Sequence, residues 1–154
     1  MNRLLHPRRD EGGQSMVEFA LIIPLFVLVL LGLFDVGRAV YAYNTVNNAA
    51  REAGRLAIVD QYEDHVLDEA VAAASGIGVL RDDVTVEYEL PDGSPCADVG
   101  DNDIVRCVAV VTVPYRYEAA TPVIGRILGP ITIQGQSRFP VSINCDDATC
   151  PYGS

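Results

Sequence analysis

The chain has 154 residues, enough for one domain with an apolar segment beside it. Its 21 Asp and Glu stand against 11 Arg and no Lys, a formal charge of −10, and the acids lie mostly after the apolar stretch. Phosphate binding needs clustered cations, so this balance excludes a nucleic-acid partner and suits a domain kept soluble by its own charge.

The first 13 residues are short and basic, with Arg3, Arg8 and Arg9, and they end at Gly13. From Phe19 to Phe34 there is no charge. Counted from Met16 the run is 19 residues, about 28 Å as a helix, which matches the roughly 30 Å hydrocarbon core of a bilayer. The arginines place the N-terminus in the cytoplasm and the residues after about 36 outside. A plain single-pass anchor has this pattern. A secretory signal peptide cut after Val40-Tyr41-Ala42 is a second reading, but Asp35 and Arg38 stand between the run and that cut, and Glu18 interrupts its start. Either of these would carry a secreted or single-pass extracytoplasmic binding domain. A third reading uses Glu18. A carboxylate in a membrane segment costs roughly 2.5–3.5 kcal/mol and is kept for a purpose. A prepilin-type leader is cut on the cytoplasmic side and its apolar segment retained. A cut between Gly13 and Gln14 makes Glu18 the fifth residue of the processed chain. A new α-amino group can then pair with that carboxylate from a neighbouring helix. Pro24 removes one helical hydrogen bond and is expected to kink the helix.

The block from Gly13 to Pro24, with Glu18-Phe19-Ala20 and then Pro24 after three apolar residues, resembles the opening of the TadE-like family of pseudopilins. The similarity continues through Gly32, Asp35-Val36-Gly37-Arg38, Tyr41 and Asn44 to Asn48-Ala49-Ala50-Arg51-Glu52-Ala53-Gly54-Arg55, and covers about residues 12–58. The resemblance implies a minor pilin-like component of a tight-adherence (Tad/Flp) type IV pilus system. It implies processing by a membrane prepilin peptidase at Gly13 and Gln14, subunit registry through Glu18 and Phe19, and partners among other pilin-like subunits and the Tad inner-membrane machinery.

The apolar helix is expected to continue as a stem over 36–60. Val36, Val40, Tyr43, Val46, Ala50, Ala53 and Ala57 recur at steps of three and four, with Arg38, Asn44, Asn48, Arg51 and Arg55 largely off that stripe. The small residues Gly32, Gly37, Ala42, Ala49 and Gly54 permit close helix approach. Residues 61–75 predict a second helix with Val66, Leu67, Ala70, Val71 and Ala74 inward, capped by Asp60 or Asp64 and ended by Gly76 and Gly78. His65, in its first turn, reads as an exposed surface residue with no partner set for catalysis.

Three alternating runs follow as strands. The first is 84–90, with Val84, Val86, Tyr88 and Leu90 on one face. The second is 104–117, carrying Val105, Cys107, Ala109, Val111, Val113, Tyr115 and Tyr117, with Pro114 favouring an edge or a bulge. The third is 131–143, with Ile131, Ile133, Phe139, Val141 and Ile143 opposite Thr132, Gln134, Arg138 and Ser142. Asp92-Gly93-Ser94-Pro95 opens a long turn, and 122–128 forms a short helix closed by Gly129-Pro130. The sum is an α+β fold: a long N-terminal transmembrane and stem helix, then a small extracytoplasmic domain of one helix and an antiparallel three-stranded sheet. The division is a leader over 1–13, a span over 14–35, a stem over 36–60 and a domain over 61–154. Pilin-like proteins share this order of elements.

The cysteines are Cys96, Cys107, Cys145 and Cys150, all beyond the apolar segment, where disulfides are the default. Of the three possible connectivities, local pairing of Cys96 with Cys107 and Cys145 with Cys150 is preferred, because each pair brackets a turn. Their spacings do not match zinc knuckles, and no metal or cofactor is expected. The acidic loop of Asp98, Asp101, Asn102 and Asp103 offers oxygens to calcium without EF-hand spacing and reads as a solvated turn. There is no glycine-rich phosphate loop and no nucleophile elbow, and His6 and His65 are far apart, so no enzyme is expected.

Overall fold

A computed structural model describes residues 11–96 and 107–142. Arg3, Arg8, Arg9, His6, the Asp98–Asp103 loop, Cys145, Cys150 and the outer ends of the second and third expected strands lie outside them.

The expected span and stem are one helix, α1, Glu11–Ala57, of 47 residues, and it runs through Pro24 without interruption. From Gly13 to Leu31 every residue is exposed. Packing begins at Gly32 and Asp35 and continues through Ala39, Ala42, Val46, Ala49, Ala50, Ala53 and Ala57. This is a stripe of steps of three and four, but not the whole of the expected one. Val46, Ala50, Ala53 and Ala57 are buried as expected, whereas Val36, Val40 and Tyr43 are 60%, 53% and 55% exposed. Higher on the helix the sheet comes within reach of the α1 backbone at Val46 and Asn47, and the face fixed there carries Asp35, Ala39 and Ala42 inward below it, leaving Val36, Val40 and Tyr43 outward.

α2, Glu63–Ala73, folds back on α1 through buried Val66, Leu67 and Ala70. Its acidic first turn, Glu63 and Asp64, faces the positive end of the helix dipole. Neither expected aspartate caps it. The N-cap is Tyr62, with no side-chain cap bond. Asp60, fully buried, instead accepts from the Tyr62 backbone N–H at 3.0 Å and lies 2.8 Å from His65 Nδ1. His65 is thus a half-exposed partner of a buried acid rather than a plain surface residue. Beyond α2 the chain turns through Gly78 at φ +73°. A 3₁₀ turn, Arg81–Asp83, then returns Arg81 to Asp64 and Asp68.

The three strands form an antiparallel sheet in the order β1-β2-β3. They are β1, Thr85–Glu89, β2, Val108–Tyr117, and β3, Ile131–Pro140. Thr85 pairs with Thr112 at one end of β1 and Glu89 with Val108 at the other. Pro114 therefore lies where β2 has lost its β1 neighbour and keeps only β3, which reconciles a proline with the central strand. Ala109, Val111 and Val113 face the helices and close the core with Val46, Ala53, Val66 and Ala70. Tyr88 also packs there. Its burial, then Asp60 and Glu63 nearby, push its hydroxyl up to about 12, so it stays neutral at physiological pH. α3, Pro122–Leu128, links β2 to β3 and ends at Gly129, φ +67°.

Between β1 and β2, Asp92 Oδ1 accepts from the Ser94 N–H at 2.9 Å, and Gly93 takes φ +86°. Cys96 and Cys107 form a disulfide with Cα atoms 6.2 Å apart. Closing a loop with a sequence separation of 11 should contribute about 3 kcal/mol by restricting the unfolded chain. The double variant Cys96→Ser/Cys107→Ala is therefore expected to lose about that much in urea unfolding of the detergent-solubilised chain. An unchanged midpoint would show that the bridge does not restrain the unfolded chain.

Candidate functional site

The exposed half of α1 carries every sequence-predicted residue of the span. Gly13 stands clear of the rest of the chain: a β-carbon added there meets nothing within 4 Å. Next to it, Gln14 Nε2 donates to Glu18 Oε1 at 3.4 Å one turn on, since residues four apart share a helix face. Glu18 and Phe19 point away from the chain, Phe19 being 64% exposed. Pro24 lacks the N–H that would bond the Ala20 carbonyl, leaving that oxygen to other donors. Among the described residues, the Gln14 amide is what reaches the Glu18 carboxylate. Its remaining lone pairs are open to a donor from another molecule.

Where α1 meets the domain, the fold makes a lock that sequence reading did not assign. Asp35, the first residue after the charge-free run, is 4% exposed. Its Oδ1 accepts from the Ala120 N–H at 2.8 Å and its Oδ2 from the Thr121 N–H at 3.0 Å. Its backbone carbonyl accepts from the Tyr117 hydroxyl at 2.7 Å. Burial, then the nearby Asp35, raise the Tyr117 hydroxyl above its ordinary pKa and keep it a donor. Arg38 completes the cluster, 4.0 Å from Asp35 Oδ1 and 5.8 Å from the Tyr117 ring centre. The far end of β2 and the start of α3 are thereby tied to the last turn of the apolar run. The available signal was the position of Asp35, an acid at the very end of an uncharged stretch.

Higher up, β3 lies directly on α1. A β-carbon on Gly135 would fall 2.5 Å from the Val46 carbonyl carbon and 2.7 Å from the Asn47 nitrogen. Ser137 Oγ donates to the Ala50 carbonyl at 2.6 Å. Among the described residues no group of three or more His, Cys, Asp or Glu could hold a metal ion.

Fold and site together define an α+β protein built on one long N-terminal helix, the described helix long and apolar enough to cross a membrane. Residues 13–55 are TadE-like in sequence: they match the family model described as TadE-like protein. The match takes in both halves of α1, from the open stretch at Gly13 to the packed turn at Gly54. Among curated proteins and solved structures nothing matches the chain.

Proposed function

We propose that this chain is a minor pilin-like subunit of a tight-adherence (Tad/Flp) type IV pilus system. The single observation that carries the reading is the TadE-like match over 13–55, laid on a helix whose first half is uncovered and whose second half is the spine of the domain. A prepilin peptidase cuts between Gly13 and Gln14 on the cytoplasmic side, where Arg3, Arg8 and Arg9 hold the leader. The span stays attached and the domain stands outside the cytoplasmic membrane. Retention fits the packing, because a cut after Ala42 would take away Asp35, which holds the loop after β2.

Glu18 then acts between molecules. Its carboxylate faces outward in a segment that enters lipid, where an unpaired charge is costly. The new amino group of a neighbouring subunit is a cation at the matching depth, and pairing the two sets the register of adjacent helices. Pilin-like subunits and the Tad inner-membrane machinery are the partners. Glu18→Val tests this. The variant is expected to insert at least as well as the parent and yet fail to support surface fibres and attachment, read by microscopy and an adhesion assay. Normal fibres and adhesion with Glu18→Val would overturn the assembly role and leave a plain anchored domain.

A further inference from the structure

We propose that the segment 122–133, α3 with the first residues of β3, seats on the outer face of the lipid bilayer, a second membrane contact beside α1. The inference rests on the reading of α1 as a membrane span and goes beyond it, since a domain on a stalk need not touch lipid. Three observations converge. The first is depth. A β-carbon on Gly32 would lie 3.8 Å from Ile124 Cδ1, so α3 packs against a turn of α1 inside the charge-free run. Asp35 holds the residues before α3 at that level through the Ala120 and Thr121 N–H groups.

The second is what this level presents. Ile127, Leu128 and Ile131 are 76%, 60% and 44% exposed. Beyond Tyr43, the other large apolar side chains left exposed among the described residues are Tyr62 and Leu80, both on the α2 side of the domain. An open, largely apolar cleft of about 290 Å³ between α1 and α3 adds Val36 and Ala39 to the same surface. The third is charge. In a chain of net charge −10, the one charged residue between Glu118 and Arg138 is Arg126. It is exposed on α3, and Glu118 lies 3.6 Å from Arg116. An apolar patch with a cation at its rim suits the boundary between acyl chains and anionic headgroups, and suits water poorly.

The chain has no tryptophan, so single substitutions report depth without background. The full chain is reconstituted in phosphatidylcholine–phosphatidylglycerol vesicles with brominated acyl chains, carrying Ile127→Trp, Leu30→Trp or Glu52→Trp. Glu52 stands 18 residues past Phe34, about 27 Å up the helix. Quenching of Ile127→Trp is expected within about twofold of Leu30→Trp and at least about fivefold above Glu52→Trp. If Leu30→Trp is quenched and Ile127→Trp matches Glu52→Trp, the span stands and the seat is overturned, leaving this patch to a protein neighbour. If Leu30→Trp is itself unquenched, the span reading fails and takes the proposal with it.

Discussion

Gly135→Val is expected to destabilise the domain by about 3 kcal/mol or more, the largest effect of any single substitution in the sheet. Gly135 faces α1 from the middle of β3, opposite Val113 on β2. Its φ is not positive, so backbone freedom is not the reason for glycine there. The reason is approach. The atoms a β-carbon would strike are the Val46 carbonyl and the Asn47 nitrogen, and these belong to a helix backbone that cannot swing aside. The helix must lift from the sheet, opening the packing of Val46 and Ala50 and stretching the Ser137 Oγ bond to the Ala50 carbonyl. Gly54 makes an informative contrast. A β-carbon there meets the Ser137 hydroxyl and the Phe139 ring 2.8 Å away, both side chains that can give. Gly54→Ala should therefore cost less than Gly135→Val. Urea unfolding of the detergent-solubilised chain decides it. A loss below about 1 kcal/mol at Gly135 would contradict the close helix–sheet contact.

This contact also explains what could and could not be read from the residues. Strand alternation placed Ala109, Val111 and Val113 inward, and they are buried. The expected bounds of α2 fall within two residues of the observed ones, although neither expected aspartate caps it. The stem face was half legible. From Val46 onward the apolar stripe and the packed face coincide. Below it, periodicity favoured Val36, Val40 and Tyr43, whereas Asp35, Ala39 and Ala42 are the residues that turn inward. Hydrophobic pattern weighs side chains by apolarity, while a close interface selects them by size, and near a membrane apolarity does not tell inside from outside. In the sequence Asp35 stands out as an acid just past the apolar run and within a family likeness, with no partner indicated. Its partners lie 85 and 86 residues away, and no local pattern encodes a long-range hydrogen bond to a loop N–H. Cys96 and Cys107 were legible as a pair because they stand only 11 apart in sequence, bracketing an expected turn.

The second large effect concerns Gly13. A β-carbon at this position meets nothing, and alanine is the better helix former by about 1 kcal/mol, so Gly13→Ala leaves the fold intact. A protease groove that takes an extended, unobstructed backbone is sensitive to a single added methyl. Leader cleavage of Gly13→Ala is accordingly expected to fall at least about tenfold, followed by pulse labelling in cells. Cleavage at the parental rate would mean that the peptidase does not read Gly13. Because the substitution spares the domain, the variant should be no less stable than the parent in urea, which separates failed processing from misfolding.

The proposed span is trimmed at its inner end and kept. Mass spectrometry of the chain purified from membranes reads this directly. The predicted N-terminus is Gln14, with Met1 retained only in cells lacking the prepilin peptidase. A mature chain beginning at Tyr43, or one still beginning at Met1 in cells that make normal fibres, would contradict it.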